Sequence, residues 1–198
     1  MSLVQKLAPD FEVDAVMPDG ATKRVSLSSF RGNKYVVLFF YPADFTWVCP
    51  TEILAFSHHI DEFDKRNVQV LGASVDNVHT HRAWRNTKVE DGGIGAIQYP
   101  LIGDITKALA QSYGVLLDNG TALRGTFLID RQGVVRQETI NDTPLGRSIE
   151  ETLRLVDALQ FTEEHGEVCP AGWQKGKAAL KGNPQGISAY LRQNASKL

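Results

Sequence analysis

Tyr35-Val36-Val37-Leu38-Phe39-Phe40-Tyr41 is continuously apolar and rich in β-branched and aromatic residues, and Pro42-Ala43-Asp44-Phe45-Thr46-Trp47-Val48-Cys49-Pro50-Thr51-Glu52 follows it. An apolar run without alternation predicts a strand covered on both faces, as in a parallel sheet. Pro42 ends it, having no N–H to give a ladder. Over residues 50–64 the spacing turns helical, with Ile53, Phe56, Ile60 and Phe63 on one stripe. Pro50 suits the first helical turn, where a missing N–H costs nothing. Cys49 is thereby placed at or beside the helix N-cap. A thiol there feels the positive end of the macrodipole and free backbone N–H donors, which favour the thiolate.

Beyond this segment, residues 68–75 read as a second strand, 79–86 as a short helix and 91–95 as a loop. Residues 99–102 read as a short strand and 105–113 as a helix. Asp118-Asn119-Gly120-Thr121 carries a hairpin-type turn signal. Two strands over 124–130 and 134–140 join at Arg131-Gln132-Gly133. Ser148-Ile149-Glu150-Glu151 is a capping box, followed by a helix striped by Ile149, Leu153, Val156 and Leu159. Strand–helix alternation, then a hairpin and a final helix, predicts an α/β three-layer sandwich with a mixed central sheet. A strand leading to a cysteine at a helix N-terminus is the thioredoxin-like arrangement, although Thr46 stands where the first cysteine of Cys-x-x-Cys would be. After Phe161 the chain becomes rich in Gly and Lys, with one short apolar cluster over 187–191. The expected organisation is a thioredoxin-like domain over 1–165 and a C-terminal arm over 166–198 that carries the second cysteine.

The chain has 198 residues, 42% apolar and 22% charged, with 21 basic and 23 acidic side chains. These are globular values, and the near-neutral balance gives no electrostatic footprint for nucleic acid or an anionic membrane. No run approaches the roughly 18 apolar residues of a membrane span. The N-terminal stretch has no apolar h-region, so a cytoplasmic location is expected. In that setting two cysteines point to catalysis rather than a structural framework. Metal is not expected, because no Cys-x-x-Cys or His-x-x-x-His cluster supplies ligands. His58, His59, His79 and His81 read as solvated helix faces, and Trp47, Trp84 and Trp173 as packing residues.

Both cysteines lie in Val-Cys-Pro contexts, and the second, Cys169, sits in the polar, Gly-rich tail. One is placed to be reactive and the other to be mobile, a redox pair whose halves meet in the folded, dimeric protein. The segment Phe40-Tyr41-Pro42-Ala43-Asp44-Phe45-Thr46-Trp47-Val48-Cys49-Pro50-Thr51-Glu52 closely resembles the active-site loop of peroxiredoxins. Glu164-His165-Gly166-Glu167-Val168-Cys169-Pro170-Ala171-Gly172-Trp173 resembles the resolving-cysteine segment of the typical two-cysteine subgroup, which includes the C component of alkyl hydroperoxide reductase. Ala8-Pro9-Asp10-Phe11, Leu123-Arg124-Gly125, Phe127-Leu128-Ile129-Asp130 and Pro144-Leu145-Gly146-Arg147-Ser148 match in order.

The resemblance implies a thiol-dependent peroxidase for hydrogen peroxide and organic hydroperoxides, with no metal and no organic cofactor. It implies that Cys49 attacks the peroxide and becomes a sulfenic acid, with Arg124 supplying positive charge. Thr46 aligns the peroxide, Pro42 shields sulfur, Glu52 orients Arg124, and Arg147 supports. Cys169 of the partner subunit then forms an intersubunit disulfide with Cys49. The implied partners are a dithiol reductant, either thioredoxin or a dedicated flavoprotein disulfide reductase, and a second copy, with five dimers in a ring. Gly92-Gly93-Ile94-Gly95 resembles the Gly-Gly-Leu-Gly loop of members that overoxidise easily, whereas their C-terminal Tyr-Phe reads Tyr190-Leu191 here. The rival readings are a ring-forming holdase chaperone or signalling scaffold, and a thiol–disulfide oxidoreductase, which the missing Cys-x-x-Cys disfavours.

Overall fold

The computed structural model describes residues 2–197, so Met1 and Leu198, the outer ends of the expected domain and arm, lie outside the described residues. The chain divides into two compact units, residues 1–149 and 150–198.

The first unit is built on a seven-stranded sheet in the order β2-β1-β5-β4-β3-β6-β7. Its strands are Glu12–Val16 (β1), Thr22–Ser26 (β2), Tyr35–Phe40 (β3), Val68–Ser74 (β4), Leu101–Gly103 (β5), Arg124–Ile129 (β6) and Val135–Asn141 (β7). β3 runs parallel to β4 and β4 parallel to β5, while the remaining pairs are antiparallel. The expected mixed sheet is therefore present. Every residue of β3 is buried, as its unbroken apolar run requires. Its side chains divide by parity. Phe39 stacks on Phe56, ring centroids 4.2 Å apart, on one face. Val36, Leu38 and Phe40 join the cluster on the other, where Phe40 meets Tyr113 at 5.4 Å. Such aromatic pairs add about 0.5–1.5 kcal/mol each beyond the area they bury.

The helices of this unit are Cys49–His58 (α1), Ile60–Asp64 (α2), Val78–Asn86 (α3) and Ala108–Ser112 (α4). The single helix expected over 50–64 is thus two. His59 leaves the helical region (ψ 11°), and its backbone N–H and ring Nδ1 both meet the Ala55 carbonyl, so the axis restarts at Ile60. Ile53, Phe56 and Phe63 are buried as the stripe predicts, while Ile60 is half-buried. The strand expected from Tyr99 begins instead at Leu101, since Pro100 cannot donate and only its carbonyl is used, by Gly72 N–H. α4 starts three residues late because Asp104 caps it from outside, accepting from Leu109 N–H at 3.1 Å and Ala110 N–H at 2.7 Å. The β1–β2 hairpin was not legible as strands. Its exposed faces carry Lys23, Arg24, Glu12 and Asp14, which protect an edge against further pairing.

The histidines correct the sequence reading in one place. His58 and His79 are exposed and His59 is half-buried, but His81 is fully buried on α3. A buried imidazole needs partners, and the site description below gives them.

The second unit contains most of Ile149–His165 (α5) and the helix Pro184–Asn194 (α6). α6 lies where only a short apolar cluster was expected. Asn183 caps it by accepting from Gly186 N–H at 2.7 Å, and Pro184 takes the first turn.

Candidate active site

Cys49 is the first residue of α1, with Val48 at the N-cap and Pro50 next. Its side chain is fully buried. β6 brings Arg124 to it from across the sheet. Arg124 Nη1 donates to Cys49 Sγ at 3.3 Å and to Glu52 Oε2 at 2.6 Å, while its Nε donates to the Thr143 carbonyl at 2.7 Å. The guanidinium plane is thus fixed at three points, two of them on one edge.

Glu52 is one turn into α1 and buried. It does more than orient Arg124. Arg147 donates to Glu52 Oε1 from its backbone N–H (3.0 Å) and Nε (2.8 Å), and to Oε2 from Nη2 (3.1 Å). Arg147 also donates to the carbonyls of Phe40 at 2.7 Å and Gly125 at 2.9 Å, and to Thr126 Oγ1 at 3.0 Å. Its guanidinium lies 5.1 Å from the Phe39 ring centroid. One carboxylate therefore locks two arginines, and Arg147 ties that lock to β3 and β6. Charge-assisted bonds of this kind are roughly twice as strong as neutral ones. The sequence singled out both arginines and Glu52. It gave no sign of the Thr143, Phe40 and Gly125 carbonyls, because backbone acceptors carry no residue signature.

Pro42, Thr46, Trp47, Val48, Arg124, Thr143 and Pro144 line a pocket of about 380 Å³. Arg124 links pocket to sulfur, since it lines the one and bonds the other. Its Nη2 has no hydrogen-bond partner among the described residues. Thr46 Oγ1 donates to the Ala43 carbonyl at 2.8 Å. With its proton so used, the hydroxyl can accept from a hydroperoxide O–H but cannot donate to a thiolate. Trp47 is not the packing residue expected: it is 90% exposed. Trp84 and Trp173 are buried, as expected.

Behind the loop lies a second network. Asp44 Oδ1 accepts from Tyr41 O–H at 2.8 Å, and Asp44 Oδ2 lies 2.7 Å from His81 Nδ1. His81 Nε2 lies 3.0 Å from the Ile102 carbonyl. Both ring nitrogens thus face acceptors, which suits the imidazolium. Burial lowers the affinity of His81 for its proton, but the hydrogen bond and charge of Asp44 outweigh it and leave the imidazole above its usual value.

In the second unit, Cys169 is half-buried, with Sγ 3.7 Å from the Ala158 carbonyl and from Thr162 Oγ1. It lies between two anchors. On one side Val168 and Leu180 exchange backbone hydrogen bonds, and on the other Trp173 packs on Phe161 with centroids 4.8 Å apart. Arg154 Nη1 also donates to the Trp173 carbonyl at 2.9 Å.

A thiol under a guanidinium at a helix N-terminus defines a cysteine-based redox enzyme. Residues 4–138 match the model of the AhpC/TSA family, and residues 158–193 match the C-terminal domain of 1-Cys peroxiredoxin. The chain is 55% identical to peroxiredoxin-2 of Mus musculus over 192 residues, 96% of each chain. It is 50% identical to alkyl hydroperoxide reductase C of Helicobacter pylori over 197 residues, 99% of this chain and 100% of that one. The reduced crystal structure of Plasmodium vivax 2-Cys peroxiredoxin superposes with a TM-score of 0.96 at 46% identity, covering 97% of this chain and 100% of that one. The chain belongs to the AhpC/TSA family, as a peroxiredoxin with the thioredoxin-like fold. It is an enzyme, a thiol peroxidase whose substrates are peroxides and whose electrons come from a thiol reductant.

Proposed function

We propose that Cys49 is the thiol that attacks the peroxide and that Cys169 resolves it. The observation that carries this reading is the 3.3 Å bond from Arg124 Nη1 to Cys49 Sγ, at a helix N-terminus and under a pocket. The Cys49 thiolate attacks the terminal oxygen of ROOH. An S–O bond forms, the O–O bond breaks, and RO⁻ leaves to take a proton and depart as ROH. Sulfur is oxidised to the sulfenic acid and the peroxide is reduced. Arg124 Nη2 donates to the oxygens across which charge develops, and Thr46 accepts the peroxide O–H. Glu52 and Arg147 hold Arg124 in plane, and Pro42 keeps bulk water from sulfur.

The Cys169 thiolate then attacks the sulfenic sulfur, the S–S bond forms, and the oxygen leaves as water. The arm over 166–198 carries Cys169 to the partner subunit of a homodimer, and five such dimers close a ring. β7 is a sheet edge with half-exposed Ile140, which offers a surface to a second copy. Thioredoxin or a flavoprotein disulfide reductase returns both thiols, in the cytoplasm. No helix among the described residues is long and apolar enough to cross a membrane.

One equivalent of peroxide should convert the protein to a species that migrates as a dimer on a non-reducing gel. Cys49→Ser should abolish peroxide consumption. Cys169→Ser should consume one equivalent yet form no Cys49–Cys169 disulfide by mass spectrometry. A Cys49→Ser protein that still turns over would sink the assignment.

A further inference from the structure

Cys49 is fully buried at the first turn of α1, so no second sulfur reaches bonding distance while the loop ahead of it stays closed. A disulfide brings the two Cα atoms within about 7 Å. What holds that loop closed therefore sets how fast the disulfide forms. The holding element is α3. His81 binds Asp44 of the loop. One turn on, the buried Trp84 ring packs against Phe45 at 5.7 Å and Tyr41 at 6.2 Å. Phe45 itself is held at φ +53°, a left-handed conformation that a bulky residue keeps only when its surroundings fix it.

The same tryptophan faces a second loop. Trp84 Nε1 donates to the Gly92 carbonyl at 2.8 Å, and the Trp84 carbonyl accepts from Ile94 N–H at 3.3 Å. Arg85 Nη1 adds a bond to the Ile97 carbonyl at 2.8 Å. This second loop is closely seated. A Cβ on Gly93 would lie 2.0 Å from the Thr87 carbonyl oxygen at the end of α3, so only glycine allows this close approach, and Gly93 N–H donates to the Lys88 carbonyl at 2.8 Å.

We propose that Trp84 is a positioning residue that couples opening of the Cys49 loop to the loop of residues 92–97, by holding Phe45 on its ring and the Gly92 carbonyl on its indole N–H. When Phe45 leaves, the ring loses the contact that fixes it, and the Gly92 carbonyl loses its donor's orientation. Loosening either loop loosens the other. The consequence for catalysis rests on the pairing of Cys49 with Cys169 proposed above, whereas the coupling itself does not.

Hydrogen exchange on the reduced protein tests the coupling directly. Phe45 is half-exposed, so Phe45→Ala keeps the fold. It should accelerate exchange of the Gly93 and Ile94 amides, on the far side of Trp84, by roughly two- to tenfold, the equivalent of one aromatic pair. Amides of β6 should keep their wild-type rates. Trp84→Phe keeps a ring for Phe45 but frees the Gly92 carbonyl. It should lower the fraction of Cys49 found as sulfinic acid at high peroxide by roughly fivefold, the equivalent of one hydrogen bond, with the first oxidation of Cys49 at its wild-type rate. Wild-type exchange at Gly93 and Ile94 in Phe45→Ala overturns the coupling, whereas an unchanged sulfinic fraction in a Trp84→Phe protein that still forms the Cys49–Cys169 disulfide overturns its effect on the timing of that disulfide. Accelerated exchange in a protein that forms no Cys49–Cys169 disulfide upholds the coupling and removes the cysteine reading instead.

Discussion

Arg124→Ala removes one donor from Cys49 Sγ, one ion-pair partner from Glu52 and the free Nη2 edge from the pocket. A preorganised donor aimed at developing charge contributes on the order of 3 kcal/mol, or roughly a hundredfold in rate. The loss here should exceed that figure. Glu52 keeps its three bonds from Arg147 and stays buried, now with no guanidinium between its carboxyl group and sulfur. Adding Glu52→Gln to Arg124→Ala should consequently recover about fivefold, a non-additivity expected of groups in one network. Arg124→Lys should hurt nearly as much as Arg124→Ala, because one ammonium cannot reach Sγ, Glu52 and the Thr143 carbonyl together. Stopped-flow fluorescence reads this, with exposed Trp47 two residues from the sulfur as reporter. The quantity compared is the slope of observed rate against hydrogen peroxide concentration. A natively folded Arg124→Ala protein within about twofold of the wild-type slope would refute the reasoning, since that leaves under half a kcal/mol for the guanidinium.

Three further outcomes follow from the geometry. Because Asp44 raises the proton affinity of His81 above its ordinary value, the stabilisation linked to the His81 proton is full below that ordinary value, about pH 6.5, and is lost as pH rises through the raised one, while burial lifts Asp44 above the ordinary carboxylate range and acts only at lower pH. The difference in urea midpoint between wild type and Asp44→Asn should therefore shrink from about pH 5.5 to about pH 9, and a difference that grows would reverse the sign. Opening the Cys49 loop for disulfide formation should disturb any interface packed on Phe45 and Trp47, so sedimentation should give a larger species for reduced than for oxidised protein; identical profiles across concentrations would count against it. Leu191→Phe restores the aromatic residue of overoxidation-prone relatives on a position 40% exposed in α6, and should raise the sulfinic fraction of Cys49 several-fold at high peroxide, by about 1 kcal/mol of added apolar contact; an unmoved fraction would show that α6 does not gate oxidation.

What could be read from the sequence follows from how local its cause is. Pro42, Pro50 and the apolar run before them fix strand end, helix start and the place of Cys49 within a few residues, and all three behave as read. The break at His59 escaped because it comes from a side chain bonding a carbonyl one turn back, against a continuous apolar stripe. His81 escaped for a different reason. Its partner Asp44 lies 37 positions earlier, and an isolated histidine on a polar helix looks the same whether it faces water or a buried carboxylate. Glu52 was legible as a partner of Arg124, but its second arginine became visible only when the loop after β7 folded back over α1. Trp47 was misread because burial is the usual fate of tryptophan, and nothing in its neighbours announces a ring left in solvent.

The lock of Glu52 between two arginines leaves the buried centre with two positive charges and one negative. Charge neutrality is reached when sulfur is anionic. A thiolate would satisfy this, and so would a sulfinate, whereas a sulfenic acid or a disulfide is neutral and leaves a cation in excess at a buried site. The closed conformation is therefore electrostatically matched to an anionic sulfur, as in a thiolate or a sulfinate, and mismatched to the neutral intermediates of the proposed cycle. On the proposed cycle, the same two arginines that favour an anionic sulfur before reaction would favour opening of the site once sulfur has become neutral.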